Sequence, residues 1–150
     1  MGHEARDPDF ERRVRASFAK QRFMATLGAQ LEHIEPGMVT IGVPFDAALT
    51  QQHGFLHAGA VTAVIDSACG YAALSLMPPD TGVLSVEFKL NLLAPATGEH
   101  FRGMGKVLRA GRTLSVCAGE LRAVQSARET VVAVMQATMM TVRDRKGLAD

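Results

Sequence analysis

Residues 57–66 read HAGAVTAVID, and this stretch decides the fold. It opens an apolar segment that predicts a helix from about Ala58 to Met77, where Pro78-Pro79 stops it. The helix contains one acid, Asp66, among small and apolar residues. Because an ionised carboxylate is costly to bury without a partner, we expect the protein to use Asp66 rather than tolerate it.

The helix face around Asp66 is made of small side chains. At about 100° per residue, the residues within about 60° of Asp66 are Gly59, Thr62, Ala63, Cys69, Gly70 and Ala73. Close packing of the helix against its neighbours explains small residues, and so does a slot that admits a ligand beside the carboxylate. The acid in the middle of this face favours the slot.

Size and composition bound the class of protein. A chain of 150 residues that is 47% hydrophobic predicts one globular domain with a sizeable core. The formal charge of +1 offers no field for nucleic acid, and no uninterrupted apolar run reaches the roughly 18 residues of a membrane span. Cys69 and Cys117 lack metal-ligand spacing, and no signal peptide is evident, so we expect a cytoplasmic protein.

The chain divides into an N-terminal helical segment, residues 1–26, and a domain over 27–150. Residues 9 to about 25 predict an amphipathic helix. The simplest interpretation of its basic side is a solvated face, and the alternative is a surface that contacts a membrane or a phosphate. Segments 28–35 and 38–45 predict a hairpin that turns at Glu35-Pro36-Gly37.

The second half of the chain changes to a period of two. Apolar residues alternate with polar ones from Leu84 to Leu92, and further strands are expected over about 98–109, 113–124 and 129–142. Mostly antiparallel strands must curl around the apolar helix, which has no face suited to water. The sequence therefore predicts an α+β fold with an antiparallel sheet wrapped around a long central helix.

This pattern resembles the hotdog fold and, within it, the PaaI-type acyl-CoA thioesterases, over about residues 27–143. The most specific match is His57-Ala58-Gly59 followed by Asp66, nine residues after the histidine. Residues 82–95, GVLSVEFKLNLLAP, and 107–113, VLRAGRT, are similar to later strands of that family. Ala58 stands where many members have glycine, which matters little if only its backbone N–H is used.

The resemblance implies hydrolysis of an acyl-CoA thioester. Asp66 is the candidate nucleophile or general base, and both routes stay open. The N–H groups of Ala58 and Gly59 are the candidate oxyanion hole, at the positive end of the helix. Eight residues at 1.5 Å each separate Ala58 from Asp66 by roughly 12 Å, so the two must come from different subunits. We therefore expect a homodimer, with further pairing into a tetramer left open.

Two loop residues have candidate catalytic roles. Gln51 matches a family amide that would hydrogen-bond the nucleophile or the thioester, although it can equally be a plain loop amide. His57 can position the substrate carbonyl or simply brace the loop.

Ser85 matches a polar strand position near the site in some relatives, and its alternative is an ordinary outward-facing serine.

The substrate would contact two further groups of residues. The acyl group would enter beside Thr62, Ala63 and Gly70, whose small side chains leave room for it. Arg109 and Arg112 would pair with the phosphates of CoA. The alternative is that they only lie in solvent at the tip of a hairpin.

No cofactor is expected beyond the CoA of the substrate. His53 and His57 stand four residues apart, but they precede the helix and lack a third ligand, so we expect no metal. Two alternative functions remain: hydration or dehydration of an acyl thioester, with His57 as proton shuttle, and a non-catalytic acyl-CoA-binding module.

Overall fold

The structure is a computed structural model that describes residues 2–150. Its helices are α1 (Phe10–Lys20), α2 (Arg22–Thr26) and α3 (Ala58–Leu74), and a short 3-10 turn covers Ala47–Leu49. Its strands are β1 (Gln30–Glu35), β2 (Met38–Pro44), β3 (Gly82–Leu92), β4 (His100–Ala110), β5 (Leu114–Gln125) and β6 (Arg128–Val142). The predicted order of helix, two strands, long helix and four strands is confirmed.

The strands form one antiparallel sheet in the order β1-β2-β4-β5-β6-β3. Helix α3 lies across one face and contacts β2 to β6, which confirms the predicted α+β class and the wrapping of the sheet. Gly105 and Gly119 allow this close approach, since a Cβ at either position would overlap atoms of α3. Within residues 2–150, no helix combines the length and apolar character needed to cross a membrane.

The N-terminal segment joins the same core. Val14 of α1 and Met24 of α2 are both buried. The single helix predicted over residues 9–25 is broken at Gln21, whose φ of −80° and ψ of 95° are extended. The reason is tertiary, because the Gln21 side chain hydrogen-bonds Ser67 and Tyr71 of α3.

The C-terminal end of α3 is capped from this segment. The guanidinium of Arg13 donates to the carbonyls of Leu74, Met77 and Pro78 at 2.8–3.0 Å and pairs with Asp7 at 3.1 Å. Burial lowers the pKa of Arg13, and Asp7 opposes that shift. The regular helix ends at Leu74, three residues before the predicted end, because the N–H groups of Leu76 and Met77 bond three residues back and tighten the chain into turns.

Strand β3 contains a bulge that the alternation in its sequence conceals. Ser85 pairs with Met139 of β6 and Glu87 pairs with Thr138, so Val86 is the extra residue. Paired residues share a face of the sheet. Ser85 therefore lies on the inner face with the buried Met139, while Leu84 lies on the outer face. The predicted alternation from Leu84 to Leu92 is wrong for its first part.

Candidate active site

His57 directly precedes α3 and caps its N-terminus. Its Nδ1 accepts the backbone N–H of Gly59 at 2.7 Å, so the imidazole braces the helix start. The Gly59 N–H is thus already occupied, whereas that of Ala58 makes no hydrogen bond within residues 2–150. Of the two predicted oxyanion donors, only Ala58 offers an unengaged N–H in this structure.

Gln51 organises the loop that leads into α3. Its Oε1 accepts the backbone N–H groups of His53 at 2.5 Å and Phe55 at 3.3 Å. Because the oxygen is held by the loop, the amide nitrogen of Gln51 is left as a donor beside the start of the helix.

A cleft of about 400 Å³ opens at this point, and we call it the helix-start cleft. Gln51 and Ala58 both line it, and Gln51 contributes a polar side chain. Its other lining residues are apolar and include Phe55, Val61, Leu92, Leu93, Pro95 and Val132.

A second cleft, the Asp66 cleft, has a volume of about 310 Å³. It lies between α1, α3 and β3, and its lining includes Lys20, Gln21, Asp66, Gly70, Tyr71 and Ser85. Asp66 is half-buried, and its Oδ1 accepts the hydroxyl of Ser85 at 2.7 Å. This bond engages one carboxylate oxygen, whereas Oδ2 makes no hydrogen bond among the described residues.

The two clefts are separate within one chain. They share no lining residue, and eight residues of helix place Asp66 roughly 12 Å from Ala58. The structure therefore does not bring the predicted acid and the predicted oxyanion donors together in a single subunit.

Comparison with known proteins assigns the family. Residues 53–130 match the model of the thioesterase superfamily. A crystal structure of a thioesterase family protein from Silicibacter pomeroyi is 51% identical, covering 89% of this chain and 98% of that one, with a TM-score of 0.88. The chain belongs to the thioesterase superfamily.

Two further relatives complete the comparison. A Saccharolobus solfataricus protein named "Putative esterase" is 33% identical over 60% of this chain, and the match spans 64% of that protein. The Escherichia coli PaaI protein from the phenylacetic acid degradation operon shares the fold at 16% identity, with a TM-score of 0.81 over 92% of this chain and 96% of that one. The hotdog fold and the resemblance to PaaI-type proteins are confirmed.

The face of α3 around Asp66 in this thioesterase-family chain is only partly what the helical projection predicts. Thr62, Ala63 and Gly70 are half-exposed, and a Cβ on Gly70 would meet no atom within 4 Å. The Thr62 hydroxyl donates to the carbonyl of Ala58 at 2.7 Å. Cys69 and Ala73 are fully buried in the core instead. Although the composition of α3 offers no face suited to water, this stripe is partly exposed because it borders the cleft.

The two candidate phosphate-binding arginines lie away from both clefts. Arg109 and Arg112 are exposed on the β4–β5 hairpin, near the C-terminal end of α3. Within residues 2–150 neither forms an ion pair, whereas Arg102 of β4 pairs with Glu32 and Glu129. No three His, Cys, Asp or Glu side chains of the described chain cluster as a metal site requires.

Sequence reasoning missed a polar network at the far end of the Asp66 cleft. Gln21 accepts the hydroxyl of Ser67 at 3.0 Å and donates to the Tyr71 oxygen at 3.0 Å, and Ser17 donates to Asp150 at 2.7 Å. Burial raises the pKa of Tyr71, partly offset by hydrogen bonding with Ser17 and Gln21, so the phenol stays protonated. These residues come from distant parts of the chain, and no local pattern links them.

Proposed function

We propose that this chain acts as a homodimer that hydrolyses acyl-CoA thioesters to the free acid and CoA. The observation that carries the proposal is the half-buried Asp66 carboxylate, which lines a cleft and has one oxygen held by Ser85. A carboxylate held in this way can act on a thioester carbonyl without first rearranging.

The reaction needs both clefts. Asp66 attacks the carbonyl carbon directly, or takes a proton from a water that attacks it. The carbonyl oxygen then carries negative charge, which the N–H of Ala58 from the other subunit stabilises at the positive end of α3. The C–S bond breaks as the tetrahedral intermediate collapses, and CoA leaves as a thiolate. In the general-base route the thiolate takes the proton that Asp66 accepted from water. In the direct route the acyl group stays on Asp66 as a mixed anhydride, which a water molecule hydrolyses to the free acid and the Asp66 carboxylate, and the proton released goes to the thiolate. The amide nitrogen of Gln51 donates beside the same carbonyl.

The edge of the sheet supports the dimer. Strand β3 pairs with β6 on one side only, so its other side carries unpaired backbone groups. Val86, Phe88 and Leu92 on this strand are 54%, 45% and 55% exposed. An apolar edge strand is a template for pairing with a second chain, and such pairing would cover these side chains and bring the Asp66 cleft of one subunit toward the helix-start cleft of the other.

Two finer assignments follow from the same substrate. Arg109 and Arg112, which lack acidic partners among the described residues, would bind the phosphates of CoA at the protein surface. Cys69 and Cys117 are both free thiols, which fits the reducing cytoplasm as the site of action.

The proposal is tested by hydrolysis of a panel of aryl-CoA and alkyl-CoA thioesters. For Asp66→Asn we expect kcat/KM to fall at least about 10²-fold, because the amide can neither attack nor accept a proton. The matched control is Asp80→Asn, in an exposed turn where φ is +61° and Asn is readily accommodated.

The outcome separates the proposal from its alternatives. Full activity in Asp66→Asn refutes the role of Asp66. Tight binding of acyl-CoA without turnover by the wild type indicates a binding module, and water addition to an enoyl-CoA indicates a hydratase.

A further inference from the structure

Residues 143–150, which we call the tail, fold back onto the sheet after β6. The chain turns at Asp144 and again at Gly147, whose φ values of +52° and +81° are left-handed. These two turns bring the last three residues of the tail to the free edge of β3, beside the Asp66 cleft.

The tail docks on the chain at the start of β3. The N–H of Asp150 donates to the carbonyl of Thr81 at 3.1 Å. The carbonyl of Leu148 lies so close to Gly82 that a Cβ at Gly82 would overlap it. Gly82 therefore leaves the space in which the tail lies, as glycine does where two backbones approach closely.

The Asp150 carboxylate joins two walls of the Asp66 cleft. Its Oδ1 accepts the hydroxyl of Ser17 on α1 at 2.7 Å, and its Oδ2 accepts the backbone N–H of Val83 on β3 at 3.2 Å. Ser17, Val83 and Asp150 all line the cleft. One side chain thus bridges α1 and β3, through hydrogen bonds that its negative charge strengthens.

Between its two attached ends the tail has little to hold it. Arg143 donates to the carbonyl of Arg112 at 2.7 Å, whereas residues 144–147 are exposed and Leu148 alone in the tail is partly buried. A segment with few buried apolar contacts and exposed hydrogen bonds opens at a small cost in free energy, independently of the core. The tail can therefore detach while α3 and the sheet stay folded.

We propose that the tail is a strap that controls access to the Asp66 cleft. In the closed state the Asp150 carboxylate holds α1 against β3 and fills one end of the cleft. In the open state its bonds to Ser17 and Val83 are broken, and that end admits molecules from solution. The inference goes beyond the proposed hydrolysis, because it concerns entry to the cleft whatever the ligand is.

Access is measured with a thiol placed inside the cleft. Gly70→Cys is suitable, because Gly70 lines the cleft and a Cβ there would meet no atom within 4 Å. The native thiols of Cys69 and Cys117 are fully buried, and burial raises the pKa of both, so they react slowly. The rate at which iodoacetamide labels the Gly70→Cys thiol, less the rate for the chain without this substitution, reports entry into the cleft.

Two further substitutions release the strap by different means. Asp150→Ala removes the bridging carboxylate. Gly82→Ala displaces the tail, since the three atoms nearest to the added Cβ all belong to the tail and Gly82 has no left-handed φ. Added to Gly70→Cys, each should raise the labelling rate at least about 5-fold, because the open population increases.

The matched control is Asp144→Asn. It removes the same charge from the same tail, at an exposed position whose positive φ suits asparagine. Because Asp144 does not bridge the walls of the cleft, we expect the labelling rate to stay at that of Gly70→Cys alone.

Hydrogen exchange at the Val83 amide tests the closed state without the added thiol. Thr141, which pairs with Val83, donates its N–H to Thr113 on the β5 side at 2.8 Å. The Val83 N–H therefore faces the free edge, where Asp150 accepts it. Asp150→Ala should speed exchange of this amide at least about 10-fold, with no change at Val64 in the buried part of α3.

Two results overturn the inference. One is a labelling rate that neither Asp150→Ala nor Gly82→Ala changes. The other is an equal rise in Asp144→Asn, which shows that charge alone governs labelling. Failure of the proposed function appears separately, as absence of acyl-CoA hydrolysis while the labelling and exchange responses are intact.

Discussion

Ala58 is the residue of the proposed site whose contribution can be removed with the least change to the rest of the protein. It is the first residue of α3, and only its N–H is proposed to act. The preceding His57 has φ −61° and ψ 139°, which is the extended conformation that a following proline requires. Proline is also well accepted at the first position of a helix.

Ala58→Pro therefore deletes the proposed oxyanion donor while the fold is kept. We expect kcat to fall by about 10²- to 10³-fold, as for removal of one oxyanion donor in other enzymes. Thermal unfolding should stay near that of the wild type. Unchanged kcat in a folded variant would exclude the Ala58 N–H from catalysis.

At the scale of elements, α1 and α3 depend on each other. Arg13 of α1 satisfies three carbonyls at the end of α3 while pairing with Asp7, and both of these charged side chains are about nine-tenths buried. Loss of the guanidinium would leave the carbonyls unpaired and Asp7 as a buried charge without its partner.

Arg13→Ala should lower the free energy of unfolding by about 3 kcal/mol, as when a buried ion pair loses one member. Arg12→Ala is the matched control, because Arg12 pairs with Asp9 on the surface with 80% of its side chain exposed. We expect the control to cost less than about 0.5 kcal/mol. Urea denaturation measures both, and equal small losses would show that the cap contributes little.

At the scale of the whole molecule, the proposed site needs two copies of the chain. Asp66 and Ala58 lie in separate clefts on one subunit. One chain of a dimer can therefore carry a substitution of Asp66 while the other carries a substitution of Ala58. A dimer that combines Asp66→Asn with Ala58→Pro would contain one site with both defects and one site with neither.

Mixing the two inactive variants, with unfolding and refolding to exchange subunits, should restore about one quarter of wild-type activity. Half of the dimers would be mixed, and each would hold one intact site of two. Each variant refolded alone is the control. If the mixture stays inactive although mixed dimers form, the acid and the N–H act within one subunit.

The sequence by itself determined the elements and the central motif. The apolar run after His57 predicts α3, alternation predicts the strands, and the acid on a face of small residues indicates Asp66. These features follow from periodicity and from the cost of a buried charge, which are properties of neighbouring residues.

Only the tertiary structure decided how the polar groups meet. The bulge at Val86 turned Ser85 toward Asp66, although the uninterrupted alternation predicts an outward position. Gln21 is extended rather than helical, and its side chain hydrogen-bonds α3. Tyr71 and Asp150 line the same cleft although they come from opposite halves of the chain. Strand register and hydrogen bonds between distant residues depend on the packing of the whole chain, which no local pattern encodes.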